Sequence, residues 1–204
     1  MRLNEIFVLL DNVSVFADVG CDHGQLCKMV SDAGKAKRIL ALDISDACLS
    51  KAKALLGDRA EYFLGDGLEP LGQTVPDVTV ISGMGGSTIL HIVGNRILPC
   101  LIVSPHNDAY KVRETLCNNG YKIIEDKVIF DSGKFYDIIK LVPGKQKLTE
   151  LQKTFGAFYE RGDEIFCARL DKEKTKLLTF KQTELNVKKL ALIAEVEKCL
   201  KLRT

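Results

Sequence analysis

From residue 13 to about residue 142, short β-branched runs alternate with stretches whose apolar residues recur every three or four positions. VSVFADV (13–19), RILALDI (38–44), AEYFLGD (60–66), PDVTVISG (76–83) and LPCLIVSP (98–105) read as buried strands. Between the first two, HGQLCKMVSDAG (23–34) places Leu26, Val30 and Ala33 at helical spacing and stops at Gly34. SDACLSKAKALLG (45–57) opens on a Ser cap, carries Leu49, Ala52 and Leu56 on one face and ends on Gly57. Further helices are predicted from near Ser87 and over 108–119, the latter stopping at Asn119-Gly120. YKIIEDKVIFD (121–131) and KFYDIIKLV (134–142) adjoin across Ser132-Gly133, which predicts a hairpin.

Strand–helix alternation implies a parallel sheet with helices on both faces, and a closing hairpin makes its last strand antiparallel. Seven strands so arranged predict an α/β fold, the Rossmann-like sheet of the class I methyltransferases. After Pro143-Gly144 the pattern changes. Residues 170–202 read as one or two long helices, with Leu178, Leu185, Leu192 and Cys199 at seven-residue intervals and Phe180, Val187 and Ala194 as further apolar positions. The tail resembles a helical hairpin or a coiled coil, so the expected organisation is a sheet domain over 1–144 and a C-terminal helical, coiled-coil-like appendage over 145–204.

Composition narrows the class. The chain has 204 residues, 46% hydrophobic and 27% charged, which fits one globular domain plus a small appendage. No apolar run reaches the ~18–20 residues of a membrane span. The apolar stretch at the N-terminus is interrupted by Asn4, Glu5 and Asp11 and lacks a small-residue cleavage site, so no signal peptide and no membrane partner are expected. The seven cysteines are irregularly spaced, without a C-x-x-C pair, which predicts no metal site and suits a reducing cytoplasm. Residues 145–204 hold 14 Lys/Arg against 9 Asp/Glu, whereas residues 1–144 hold 15 against 18. A basic tail on a mildly acidic body points to a polyanionic partner or, more plainly, to a solvated helical face.

In an open α/β sheet, ligands bind beyond the C-terminal ends of the strands, where the strand order switches. Four such ends carry unusual residues. The first reads Asp18-Val19-Gly20-Cys21-Asp22-His23-Gly24. Gly20 permits a tight turn and close approach to a ligand. An aspartate stands where the second glycine of G-x-G-x-x-G belongs, which disfavours a pyrophosphate and hence a nicotinamide oxidoreductase. Asp18 and Asp22 suit a ligand with an amine and a sulfonium, as in S-adenosyl-L-methionine; the plainer reading makes Asp22 a helix cap. Asp43, followed by Ile44, ends the second strand and can accept hydrogen bonds from two ribose hydroxyls or cap a helix, although Ser45 already serves as a cap. Asp66-Gly67 can accept an adenine amine or simply form a turn. Gly83-Met84-Gly85 lets the backbone pass close to a ligand, with Met84 as a polarizable wall, or supplies a helix start that needs glycines for packing.

DVGCDHG, LGDGLEPL, ISGMGGSTI, LIVSPHND, VRETLCNNGYKI and DSGKFYDII together resemble the bacterial tRNA (adenine-22-N1)-methyltransferase family, TrmK, well over residues 2–144 and more loosely into the tail. The resemblance implies S-adenosyl-L-methionine as methyl donor, tRNA as partner and N1-methyladenosine at position 22 as product. It carries cofactor roles onto Asp18, Gly20, Asp22, His23, Asp43, Asp66, Gly67, Gly83, Met84 and Gly85, with Cys21 and Ile44 beside them. Many members read Gln-Pro-Asn after the fifth strand; this chain reads Ser104-Pro105-His106, then Asn107. These four are the candidate catalytic residues, a clamp for the target base, with His106 stacking on the base or touching its edge. Adenine N1 has a free lone pair, so alignment and water exclusion are the protein's tasks. Lys111 and Arg113 are candidates for phosphate contact, Tyr136 for stacking or for the core. Lys172, Lys174, Lys176, Lys181, Lys188 and Lys189 are candidates for the tRNA backbone. A monomer is favoured. The alternatives are a methyltransferase acting on a small molecule or another RNA, and a tRNA-binding protein without catalysis, which would need a broken cofactor site.

Overall fold

The computed structural model describes residues 2–180 and 183–201. The chain runs α1 (Arg2–Val8), β1 (Val13–Val19), α2 (Gln25–Asp32), β2 (Ala36–Asp43), α3 (Asp46–Leu56), β3 (Glu61–Leu64), β4 (Val78–Met84) and α4 (Gly86–Val93). It continues through β5 (Leu101–Pro105), α5 (Ala109–Asn118), β6 (Tyr121–Asp131), β7 (Lys134–Pro143), α6 (Glu150–Phe155), α7 (Glu164–Thr179) and α8 (Glu184–Lys201).

The seven strands form one sheet in the order β3-β2-β1-β4-β5-β7-β6. β1 to β5 are parallel, while β7 runs antiparallel to both β5 and β6. The chain moves outward from β1 to β3, then returns to lay β4 on the other side of β1. The switch point is therefore the crevice at the C-terminal ends of β1 and β4.

Side-chain alternation along the strands divides the core between two faces. Leu40 and Leu42 pack on one side with Ile89 and Ile92 of α4 and Leu116 of α5. Ile39 and Ala41 pack on the other with Ile6 of α1, Leu26 of α2 and Ala52 of α3. α3 starts as the sequence predicts, because Ser45 accepts from the amide of Cys48. α2 starts two residues later than expected. Asp22 and Gly24 have φ of 49° and 71°, so the loop stays outside the helix, and Gly24 rather than Asp22 holds the cap position.

Two helices escaped the sequence pattern, α1 and α6. The tail also departs from it. Leu178 and Leu185, expected on a seven-residue seam, are 60% and 74% exposed. The buried stripe is instead Phe166 and Leu170 on α7 with Ile193 and Val196 on α8, packed against Val128 of β6 and Leu151 and Phe155 of α6. The tail thus forms the helical hairpin that its pattern offered, lying on the sheet edge; of the seven-residue positions Leu192 packs against this cluster, while Leu178 and Leu185 stay outside it. Lys181, a candidate tRNA contact, lies outside the described residues.

Candidate active site

Asp18, the last residue but one of β1, is 4% exposed, and its Oδ2 lies 3.5 Å from the Cys27 thiol that donates to it. Burial pushes its carboxyl up to about 7; the Cys27 hydrogen bond pulls the other way, and the nearby charges of Asp43 and Asp22 raise it further. The next residues cross the end of β2, with the amides of Gly20 and Cys21 both donating to the carbonyl of Leu42, at 2.8 and 2.9 Å. Gly20 has φ of 71°, and a Cβ there would stand 2.1 Å from Met84 Cε. Only a glycine at the end of β1 lets the methionine of β4 close over it.

Asp43 is held by the backbone on both oxygens. Its Oδ2 accepts from the amide of Asp22 at 3.0 Å and its Oδ1 from that of Ser45 at 2.9 Å. A carboxylate has about four acceptor positions, so a fixed orientation still leaves capacity for a ligand. Ser45 performs the capping, which frees Asp43 from that task. His23 Nε2 lies 3.4 Å from Asp22 Oδ1 and 3.1 Å from Lys51 Nζ. Asp66 follows β3, with His91 Nε2 3.7 Å from its Oδ2.

The fourth loop is shaped by a register shift between β4 and β5 at Ser82–Met84. The amide of His106 donates to the carbonyl of Met84 at 2.8 Å, and the amide of Gly86, the first residue of α4, donates to Asn107 Oδ1 at 3.0 Å. A Cβ on Gly86 would lie 2.9 Å from the carbonyl oxygen of Asn107, so this glycine serves helix packing.

These loops enclose a cavity of about 480 Å³ at the switch point. Twelve of the candidates line it: Asp18, Gly20, Cys21, Asp22, His23, Asp43, Ile44, Asp66, Gly67, Gly83, Met84 and His106. Gly85, Ser104, Pro105 and Asn107 do not. Ser104 and Pro105 are buried in β5, and Ser104 Oγ has no hydrogen-bond partner among the described residues. Asn107 points to the start of α4 instead. The strand ends one residue before His106, so only His106 of that quartet faces the cavity. Arg113 is not available to a phosphate. Its guanidinium is fully buried, pairing with both oxygens of Asp126 at 2.8 and 2.9 Å and with Asp137 Oδ1 at 2.6 Å.

Sequence reading missed Arg2 and Leu3 of α1, and Gln25, Ser82, Thr88 and Ile92, all on the cavity wall. A signal for α1 was present, because Leu3, Ile6 and Leu10 keep helical spacing. Arg2 Nη1 lies 2.9 Å from His106 Nε2, and its guanidinium carbon sits 5.0 Å above the centre of the Tyr136 ring. Tyr136 in turn tilts against the His106 ring at 5.8 Å. Burial, then the charges of Arg2 and Lys134, lower the His106 pKa, so the imidazole stays neutral at neutral pH.

A parallel sheet closed by an antiparallel strand between β5 and β6, with acidic residues around a switch-point cavity, defines a class I methyltransferase. The family described as "Methyltransferase domain" matches residues 1–139. The tRNA (adenine(22)-N(1))-methyltransferase of Bacillus subtilis (strain 168) is 32% identical over 149 residues, which is 68% of this chain and 62% of that protein's length. The crystal structure of the B. subtilis m1A22 tRNA methyltransferase TrmK superposes with a TM-score of 0.76 at 25% identity, covering 98% of this chain and 96% of that one. Streptococcus pneumoniae Sp1610, solved in complex with S-adenosyl-L-methionine, superposes with a TM-score of 0.88 at 26% identity, covering 96% and 97% of the two chains. The chain belongs to the methyltransferase-domain family, and over most of its length it is similar to TrmK.

Proposed function

We propose that this protein is an S-adenosyl-L-methionine-dependent methyltransferase that methylates N1 of adenine 22 in tRNA. The observation that carries the reading is the cavity itself. Carboxylates stand at the ends of β1, β2 and β3, and a neutral imidazole faces it from the end of β5. The residues fit the cofactor. A cavity of about 480 Å³ is of ligand size, and the donor set is acidic where a cationic amino-acid group must sit. The two related proteins named above, one a tRNA m1A22 methyltransferase and one bound to S-adenosyl-L-methionine, support it.

The cofactor supplies an electrophilic sulfonium methyl group when bound. Asp18 and Asp22 accept from its ammonium group, the fixed carboxylate of Asp43 accepts from the ribose hydroxyls, and Asp66 accepts from the adenine amine. Met84, pressed onto Gly20, gives a polarizable wall next to the methionyl part, while Gly83, Gly67, Cys21, His23 and Ile44 complete the surround. The target N1 needs no base, because its lone pair is free in neutral adenine. What the chain must do is hold that nitrogen in line and exclude water. The methylated ring is cationic. His106 accepts from Arg2 at Nε2, which places its own proton on Nδ1 and leaves the imidazole without a charge of its own beside the cationic product. Ser104, Pro105 and Asn107 act behind it, Asn107 by tying the loop to α4.

N1 lies on the pairing edge of adenine, so the base must leave its stack, at a cost of roughly a few kcal/mol. The basic helices over 145–204, the second domain in this reading, offer Lys172, Lys176 and Lys188 to the tRNA backbone. Lys174 is paired with Glu197 at 2.7 Å and Lys189 with Glu173. A monomer is part of this proposal. Free thiols at all seven cysteines and a tRNA substrate suit the cytoplasm. No helix among the described residues is long and apolar enough to cross a membrane, and none of their His, Cys, Asp and Glu side chains group to hold a metal. Transfer of labelled methyl groups to bulk bacterial tRNA lacking this modification, followed by nucleoside analysis, tests the reading. N1-methyladenosine is the expected product; label in any other nucleoside, or none, overturns it.

A further inference from the structure

The cavity has two electrically opposite sides. Asp18, Asp22, Asp43 and Asp66 line it from the ends of β1, β2 and β3. Its lining at the ends of β4 and β5 carries no carboxylate among the described residues and receives one guanidinium, that of Arg2. The approach is built for that side chain. A Cβ on Gly83 would lie 3.3 Å from Arg2 Nη2, so a glycine there leaves the arginine its place.

α1 and the two residues after it are pinned at several points. Ile6 and Leu10 are buried in the core. Lys140 Nζ donates to the carbonyl of Leu9 at 2.7 Å, Lys35 Nζ donates to that of Phe7 at 3.2 Å, and the amide of Arg2 donates to Asp131 Oδ2 at 3.0 Å. The guanidinium is thereby fixed against His106 and over Tyr136, yet no carboxylate lies within ion-pair distance of it among the described residues. An arginine so held, with most of its five N–H donors unspent and no ion-pair partner among the described residues, has the chemistry of an anion site.

We propose that Arg2 binds a phosphate of the target nucleotide and so holds the nucleotide while its base passes His106 and Tyr136 into the cavity. The inference rests on the tRNA reading proposed above. A polynucleotide backbone cannot follow its base into a space of about 480 Å³, so the phosphates stay at the mouth, where Arg2 reaches out to Tyr136. The opposite lip repels them. The ring itself is the wrong ligand for Arg2, because methylation makes it cationic. The fixed fork of an arginine matches phosphate geometry, and its stacking on Tyr136 leaves the N–H edges free to donate.

The test uses the full chain with Arg2→Ala and Arg2→Lys. The alanine variant should raise KM for tRNA about tenfold or more, the loss expected for one charge-assisted contact. It should also reduce the slope of log binding constant against log salt by about 0.7–0.9, one phosphate's share. Cofactor affinity by calorimetry should stay within about twofold. The His106 pKa, read from its imidazole NMR signals, should rise once the neighbouring cation is gone, a change that mere loosening of α1 would not give. Arg2→Lys should recover part of the tRNA affinity and the salt slope, and serves as the folding control. An unchanged tRNA KM and salt slope would overturn the inference, as would a loss of cofactor affinity equal to the loss for tRNA, which would put the cofactor's carboxylate on Arg2 instead. Wild-type protein assayed alongside separates the two levels. Its failure to form N1-methyladenosine defeats the functional reading, whereas equal behaviour of wild type and Arg2→Ala defeats only the role of Arg2.

Discussion

Asp18 is a carboxyl group kept from water, with one thiol and two other aspartates around it, and its chemistry follows from that setting. An isolated aspartate ionises near 4; this one ionises near 7. Between those values the unfolded chain has released a proton that the folded chain still holds, so folding stability falls as pH rises across that window. A cationic ligand reverses the preference, because only the ionised form pairs with it. Binding of S-adenosyl-L-methionine should tighten as pH rises through about 7, with proton release measurable by calorimetry in buffers of different ionisation enthalpy. Asp18→Asn should bind more weakly and abolish both the proton release and the pH dependence; proton release equal to that of wild type would assign it to another group. The acidic residues were legible in the sequence because strand ends follow from periodicity, and a parallel sheet gathers those ends at one crevice. Ser104 and Asn107 were not. Whether a residue at a strand end faces the cavity, the core or the next helix turns on a single position. Arg2 was hidden for another reason, since its contact with His106 spans 104 residues of sequence.

At the scale of elements, Arg113 marks the joint between the sheet and the helices that follow it. On α5, it grips Asp126 of β6 and Asp137 of β7 and donates to the carbonyl of Lys153 on α6, while Arg169 of α7 shares Asp137 at 2.8 Å. Burial alone would raise the Asp137 carboxyl, but Arg113 and then Arg169 overcome it and hold it down to about 2. Removing one partner of such a cluster strands buried charge. Arg113→Met should therefore cost about 3–5 kcal/mol, seen as a melting temperature lowered by roughly 10 °C. Asp137 contributes stability that is present above its unfolded value near 4 and lost as pH falls towards 2; Asp137→Asn should flatten that acid limb. A melting temperature unchanged in Arg113→Met would contradict the joint. From sequence, an arginine on a helix after a strand-end loop looks like a phosphate ligand, because nothing local reveals carboxylates 13 and 24 positions away. In the tail the helical hairpin was legible, but not which positions it buries: Leu192 of the repeat packs inward, Leu178 and Leu185 do not, and Val128 of the sheet edge joins the cluster.

Across the whole molecule, charge and shape point the same way. A groove of about 440 Å³ runs between the start of α5, α6 and α8, lined by Asp108, Tyr110, Glu150, Lys188 and Lys189 among others. Asp108 on its wall follows His106 by two residues in the sequence. Lys189 already pairs with Glu173, which leaves the exposed Lys188 as the stronger contact. Lys188→Glu should weaken tRNA binding roughly tenfold at low salt and leave cofactor binding intact, with Lys189→Glu the milder change; equal affinity for wild type and Lys188→Glu would remove the hairpin from the tRNA path. The basic tail was visible in the sequence, but which lysines are spent on internal ion pairs depends on how α7 and α8 pack. The decisive measurement is methylation of two transcripts of one tRNA that differ only in adenine or guanine at position 22. One methyl group per molecule is expected on the first, recovered as N1-methyladenosine, and none on the second. Equal methylation of both transcripts would contradict adenine 22 as the target.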